Sequence, residues 1–416
     1  MAGTPLLSER VDGARLWARH MALAAFGARA DGGVDRPTLS PQEAQARAQI
    51  IAWGRAIGLR SFTDKAANLF LRLEGRDAAL APVVAGSHID SQPTGGKFDG
   101  VFGVLAALET AEAIVARGTQ PLRSFEIAAW TNEEGSRFAP GMTGSDLFTG
   151  TRTLDNVLPI RDAHGITIGE AVDAILAADD DVPLRAFGLP IAAYVEPHIE
   201  QASVLELANV PVGVVTGIQG TRRYRITVTG EAAHAGTALR KDRRDALMAA
   251  VRMIQAMDEA AMEPADTLVT VGMLEVTPNA PSVVPAKVFF SVDLRHPDNS
   301  VVDRVDADIR RIVEEMKGPC EVELKQIQHS PSLTFAPAIR ATIAEAAAAR
   351  AIPAMDVYSA AGHDARQLHY VCPAGMIFVP CRGGISHNPE EWAEPAHLTA
   401  GAQVLADVVW TLANNP

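Results

Sequence analysis

Four short stretches hold the residue types that bind cations and move protons. They are GSHIDSQPTGGKFDG with His88 and Asp99, TNEEGSRF with Glu133 and Glu134, EPHIEQ with His198, and GGISHNPEE with His387. Imidazole and carboxylate together are the ligand set of zinc, and also of manganese, cobalt or nickel. Two divalent cations about 4 Å apart need one bridging carboxylate and one or two private ligands each. The inventory divides that way, with Asp99 as the bridge, His88 and His198 on one cation, and Glu134 and His387 on the other. Asp90, two residues after His88, can orient that imidazole from behind. Of the adjacent pair, Glu134 binds a cation. Glu133 stays free as a general base that takes a proton from water and passes it to a leaving nitrogen. The chemistry implied is metal-assisted hydrolysis.

A lone histidine is more often a hydrogen-bonded bystander, and an EE pair is usually a solvated face. Here, however, charged residues interrupt or end apolar strands at several independent places, and burying each unpaired would cost several kcal/mol. One shared centre accounts for all of them.

The elements that must position these residues are legible as strands and helices. NLFLRL, PVVAGSH, SFEIAAWTN and IAAYVEPH read as strands, and residues 8–28, 41–56, 101–117, 168–178 and the Ala-rich run Ala341–Ala351 as helices. The helix at 41–56 is entered through Ser40-Pro41, a cap followed by proline at the first helical position. This layout predicts an α/β domain with helices on both faces of a sheet, and in such sheets ligand sites form at the carboxyl ends of strands. Neighbours in a regular strand point to opposite faces, so Glu133 and Glu134 can share one site only where the strand has ended. Gly135 marks such an ending.

The stretch from about 213 to 330 is different. RRYRITVTGE, TLVTVGMLEV, AKVFFSVDLRH and CEVELKQIQ read as strands. The helices RRDALMAAVRMIQAMDEAA and VVDRVDADIRRIVEEMKG lie between them, giving a β-α-β-β-α-β order. That is the ferredoxin-like arrangement. The predicted organisation is therefore a discontinuous α/β main domain, 1–212 plus 331–416, with a mixed central sheet, and an inserted ferredoxin-like domain at 213–330. Hinges are expected near Gly217–Gly220 and Ser330–Pro331.

The bulk composition is that of a globular chain: 416 residues, 48% hydrophobic and 21% charged, enough for a sizeable core. The net charge of −13 argues against nucleic acid or an anionic membrane as partner. An anionic substrate would then need a local cluster of cations. Three dispersed cysteines, Cys320, Cys372 and Cys381, suggest no disulfide framework and fit a reducing cytosol. No signal-like or membrane-spanning apolar run is evident, so a cytoplasmic location is expected.

GSHIDS…GGKFDG, TNEEGSRF, EPHIEQ, GEAAHAGT, PNAPSVVP, DLRH, AAGHDA and GISHNPEE resemble, in order, the motifs of the hydantoinase/carbamoylase amidases. That family includes N-carbamoyl-L-amino-acid hydrolases, β-ureidopropionases and allantoate amidohydrolases, within the superfamily of dimetal aminopeptidases and aminoacylases. The resemblance runs from about residue 85 to 395. It implies His88, Asp99, Glu134, His198 and His387 as ligands of two divalent ions (Zn, or Mn, Co or Ni), and Glu133 as the base. It implies His234 as a donor to the developing oxyanion. Gln201, Asn279 and Arg295 are implied as substrate contacts, with His363 lining the site. Arg295 suits a carboxylate, because its planar fork bonds one bidentately. The reaction implied is hydrolysis of a linear-amide C–N bond in an N-carbamoyl amino acid or related ureido acid, releasing ammonia and carbon dioxide. A homodimer joined through the inserted domain, which closes as a lid, is implied too.

The sequence departs from the family pattern at EQASVLE, at SAAGHDA and at Asn388, none of them a proposed ligand, so the departures bear on pocket shape. Two rival readings are an aminoacylase or dipeptidase of the same superfamily, and a non-catalytic binding protein on its scaffold. The second would show a missing base or ligand, and all six positions are filled.

Overall fold

In the computed structural model, residues 6–415 are described, and the chain divides into two compact units. One is Met1–Thr216 with Phe335–Pro416, and the other is Gly217–Thr334.

The first unit is built on the apolar runs. Val83–His88, Phe125–Trp130, Ala193–Ile199 and Ala374–Val379 are buried at every residue. That is the pattern of strands covered on both faces. These four lie side by side and parallel, in the order Phe125–Trp130, Val83–His88, Ala193–Ile199, Ala374–Val379. Antiparallel neighbours flank them, Leu69–Leu73 and then Arg60–Thr63 at one side and Val212–Ile218 at the other, so the sheet is mixed. The helices Val101–Arg117 and Pro395–Asn414 share a core with Val83, Ala85 and Val195. The short helices Thr143–Thr149 and Ala365–Leu368 meet other side chains of the same strands. Phe148 stacks edge-on to Trp130 at 5.2 Å, and the Ala365 amide donates to Glu196 at 2.7 Å.

The predicted helix at 41–56 is observed as Pro41–Ala56, with the Ser40 hydroxyl accepting the Glu43 amide. The helix expected at 8–28 is shorter. Leu7–Arg10 is a 3-10 turn and the α-helix runs Gly13–Ala24. The Asp12 carboxylate accepts the Ala14 and Arg15 amides, which starts a new helix there and breaks the earlier turn from it.

In the second unit the long strands Gly220–Thr229, Lys287–His296 and Glu321–Ser330 are all antiparallel, in the order Lys287–His296, Gly220–Thr229, Glu321–Ser330. The helices Ala246–Ala260 and Asn299–Met316 pack on the face that carries Tyr224, Ile226, Val228, Phe290 and Leu294. TLVTVGMLEV, read as one strand, is two: Leu268–Thr270 and Leu274–Thr277. Thr270 pairs with Asp293 and Leu274 with Phe290, so four residue steps oppose three. The extra residue is a bulge that interrupts the edge strand. The units divide at Thr216/Gly217 and Thr334/Phe335, four residues beyond the limits suggested by the sequence pattern. Gly217 and Ile218 pair with Thr334 and Leu333, so the expected hinge segments are partly hydrogen-bonded strand. Among the described residues, no helix is long and apolar enough to cross a membrane.

Candidate metal centre

The four parallel strands end together. His88 is level with Trp130 across one strand pair, and Phe378 with His198 across another. Just beyond Trp130 the chain turns through Asn132, which has φ 57°. The Asn132 amide donates to the Phe138 carbonyl at 2.8 Å and to the Thr143 hydroxyl at 2.7 Å. That turn brings Glu133 and Glu134 round to the strand ends. His387, on the loop after Ala374–Val379, also has a left-handed backbone, φ 53°. Such conformations cost a non-glycine residue about 1–3 kcal/mol and persist only where the surroundings impose them.

Asp99 is at the centre. Its Oδ1 lies 3.5 Å from His88 Nε2 and 3.2 Å from His198 Nε2, and its Oδ2 lies 3.4 Å from His387 Nε2. Glu134 Oε2 is 3.3 Å from the same His387 nitrogen. Two candidate cation groups result, His88–Asp99–His198 and Asp99–Glu134–His387, each with its ligand atoms within 4.8 Å of one another. Metal–ligand bonds of about 2.0–2.2 Å leave ligand atoms about 3.4 Å apart at a tetrahedral centre, close to these separations.

The proton inventory fits a cation as well. His88 Nδ1 is 3.0 Å from the Asp90 carbonyl and His198 Nδ1 is 2.9 Å from the Ile199 carbonyl. A carbonyl only accepts, so both Nδ1 atoms carry protons and Nε2 is left to face Asp99. The Gly100 amide donates to His198 Nε2 at 3.2 Å, which marks that nitrogen as an acceptor. It faces an acceptor carboxylate, and positive charge between them resolves the conflict. Burial alone would lower the proton affinity of His88 and His198, yet the carboxylates around them raise both. Burial raises Glu134 to about 7, helped by Asp99, and pushes Glu133 well up, helped by Asp364, Glu134 and Asp90. Asp99 itself is held low by His198, His387 and His88 against its burial. His387 is raised to about 9, chiefly by its bond to Asp99. A cation among these groups would relieve the same crowding.

Glu133 belongs to neither group; its Oε2 is 3.5 Å from His88 Nε2. Asp90 does more than orient His88. Its carboxylate accepts the Glu133 and Glu134 amides, both at 3.3 Å, while its carbonyl takes the His88 proton. Gln201 has φ 57° and donates from Nε2 to Asp99 Oδ2 at 2.8 Å. Its Oε1 is buried with no partner among the described residues. His363 is buried behind His198, ring to ring at 4.5 Å, with Nε2 on the Ser359 hydroxyl at 2.9 Å. Burial holds its basicity well below the usual histidine range.

One glycine is indispensable to this packing. Gly100 has φ 65°, and a Cβ there would lie 2.3–2.5 Å from the His88 ring.

Three predicted residues lie in the other unit. His234 is exposed on the short strand Ala233–His234, and its Nδ1 accepts the Gly236 amide at 3.0 Å. That bond puts the proton on Nε2 and makes it a donor. Asn279 is exposed, with φ 55°. Arg295 is forked onto Asp293, with Nε at 2.7 Å and Nη2 at 3.1 Å.

Sequence reasoning missed Ser386, Glu391, Glu196 and Asp364. Glu391 is buried, and burial together with Asp99 raises it to about 7. Its signal was a second EE pair directly behind SHNP. Glu196 sits mid-strand in AYVEPHI and accepts the Ser87 hydroxyl at 2.7 Å. A charge inside an apolar strand was the available clue.

Comparison with known proteins shows the family. Residues 84–411 match the model of peptidase family M20/M25/M40. An N-carbamoyl-L-amino-acid amidohydrolase of Rhizobium meliloti is 37% identical over 97% of both chains. An allantoate amidohydrolase of Escherichia coli (strain K12) is 36% identical, covering 94% of this chain and 96% of that one. A solved hydantoinase/carbamoylase family amidase from Burkholderia multivorans superposes with a TM-score of 0.91 at 43% identity, over 98% of this chain and 99% of its own. The chain therefore belongs to peptidase family M20/M25/M40 and, within it, to the hydantoinase/carbamoylase family of amidases.

Proposed function

We propose that this amidohydrolase cleaves the carbamoyl C–N bond of a small ureido carboxylate (an N-carbamoyl-L-amino acid, β-ureidopropionate or allantoate). Two divalent cations would be held by His88, Asp99 and His198, and by Asp99, Glu134 and His387. The carrying observation is Asp99, whose two carboxylate oxygens face two separate ligand sets. The histidine and carboxylate donors suit zinc, manganese, cobalt or nickel. When bound, the cations polarise the scissile carbonyl and lower the pKa of water.

The chain's own residues supply the rest. Glu133, outside both ligand groups, takes the proton of the attacking water and delivers it to the leaving nitrogen. Asp90 holds the Glu133 and Glu134 amides, so base and ligand keep their places together. Gln201 contacts the substrate beside Asp99, and His363 supports His198 from behind. His234 Nε2–H donates to the oxyanion, and Asn279 and Arg295 bind the substrate carboxylate, with Asp293 fixing the guanidinium plane. The products are ammonia, carbon dioxide and the free amino acid, or a ureidoglycine-type product from allantoate. The names of the relatives support the carbamoyl and ureido assignment. A panel of N-carbamoyl, N-acetyl and dipeptide substrates tests it, with metal restored after chelation. Turnover confined to N-acetyl or dipeptide substrates would overturn it.

We infer that Gly217–Thr334 is a ferredoxin-like lid through which two copies pair. Its β-α-β-β-α-β order supports that reading, as does the sheet face that the unit's own helices leave uncovered. Glu133→Gln chains mixed with His234→Ala chains test the pairing. If His234 serves the partner's site, each mixed dimer regains about one working site in two. With each variant inactive alone, no recovery in chains shown to exchange places His234 in its own subunit's site or gives it no catalytic role, its loss then acting through structure.

A further inference from the structure

Behind the cluster lies a carboxylate to which neither the motif pattern nor the proposed chemistry gives a task. Glu391 is 3% exposed and belongs to the C-terminal loop that also carries His387. Its Oε1 accepts two consecutive backbone amides, Phe98 at 2.8 Å and Asp99 at 3.1 Å. Its Oε2 is 3.2 Å from the Ser386 hydroxyl, which in turn reaches Asp99 Oδ2 at 2.6 Å. The fit is close. A Cβ on Gly96 would lie 2.1 Å from the Glu391 carboxyl carbon, so the loop before Asp99 is pressed directly onto this side chain.

We propose that Glu391, with Ser386, is the clip that sets the geometry of the shared carboxylate Asp99 relative to His387. It is a positioning residue and touches neither substrate nor any proposed ligand atom directly. The physical argument has three steps. Asp99 lies 287 residues from Ser386, the neighbour of His387, so the relative position of Asp99 and His387 is not fixed by local structure. One oxygen of Glu391 accepts both amides, which few other side chains can match, while the single Ser386 hydroxyl proton goes to Asp99 Oδ2, the nearer of its two carboxylate neighbours. Both ends of the clip then act on one group: the amides fix the Asp99 backbone, and Ser386 fixes the rotation of its side chain. Asp90 makes the equivalent bonds to the Glu133 and Glu134 amides, so each turn that delivers a cation-facing carboxylate is anchored by a buried acid behind it.

The proposal rests on the two-cation reading, and cobalt titration separates the two. The full chain and its Glu391→Ala, Glu391→Gln and Ser386→Ala variants are stripped with chelator. Each is then titrated with Co(II), following visible absorption and stoichiometry, with metal-free thermal unfolding recorded alongside. The wild type is expected to take two equivalents. Glu391→Ala is expected to bind the weaker equivalent 10–100-fold less tightly, the range typical for loss of a group that orients a ligand. Its cobalt spectrum should change. Glu391→Gln should lie nearer the wild type, because its side-chain carbonyl still accepts both amides. Two equivalents bound by Glu391→Ala with wild-type affinity and spectrum would overturn the proposal alone. Equal losses in the Ala and Gln variants would overturn the amide clip. Should Glu391→Ala not fold, Ser386→Ala decides, and wild-type affinity for both equivalents there overturns the clip. A wild-type chain that takes up no cobalt overturns the cation reading and this proposal with it.

Discussion

The two sheets of this protein handle charge in opposite ways. In the larger unit, Val83–His88 and Ala193–Ile199 are buried at every position, and the charges at their ends are enclosed with them. In the smaller unit, Lys287–His296 alternates buried with partly exposed residues, and its charges sit on the open face. Arg295, Asp293 and Arg223 pair there with side chains 31%, 25% and 45% exposed. A charge paired in solvent is ordinary and contributes little. Carboxylates packed together in a dry interior repel, raise one another's proton affinity and call for a cation. The doubly covered sheet thus creates the demand for metal, and the singly covered sheet keeps a face on which polar groups can meet a ligand.

Four substitutions break or sharpen that contrast. The largest effect is expected from Glu133→Gln, which should lower kcat by about 10²–10⁴-fold, the usual contribution of a general base. Metal stoichiometry, checked by elemental analysis, should stay unchanged. Near-normal turnover would remove Glu133 from the chemistry. Next is Gly100→Ala. The added methyl group must displace the His88 ring at a left-handed backbone position, so cation affinity should fall at least about tenfold. Calorimetric titration that finds both sites intact would show the packing to be more forgiving than the distances indicate.

Phe290→Ala acts in the other core. Phe290 is fully buried, and its truncation should cost about 3–5 kcal/mol in denaturant unfolding. The metal-loaded stoichiometry of the folded chain should be unaffected. Loss of metal in parallel with the unfolding of this core would contradict the separation drawn above. The smallest effect is expected from Arg295→Ala. Removing one charge-assisted pair at a partly exposed guanidinium should raise KM by up to about tenfold for a carboxylate substrate and barely change it for the corresponding amide. Equal changes for both substrates would mean that Arg295 does not read the carboxylate.

Much of the site could be read from local pattern. His88 and His198 end apolar strands, and Glu133 and Glu134 follow one, so strand periodicity alone pointed them toward a common edge. The parallel order of those strands was not legible. It depends on which edges pair across long separations, as in the pairing of Ala374–Val379 with Ala193–Ile199. The bulge that divides Leu268–Thr270 from Leu274–Thr277 escaped for a related reason, since a bulge exists only relative to a partner strand. The early start expected for the first helix is not observed, because Asp12 caps a new helix at Gly13.

What the sequence determined by itself was the inventory: the residue types that bind cations and move protons, their placement at strand ends, and the change of pattern near residues 213–330. Those are local properties of spacing and hydrophobic period, and they survive without coordinates. What only the tertiary structure decided was how that inventory is shared out. It directs the two oxygens of Asp99 toward different histidines, turns Asp90 onto the amides of Glu133 and Glu134, and presses Glu391 against the loop that carries Asp99. Each of these joins segments far apart in the chain, and a hydrogen bond or cation site needs ångström placement that hydrophobic patterning does not encode.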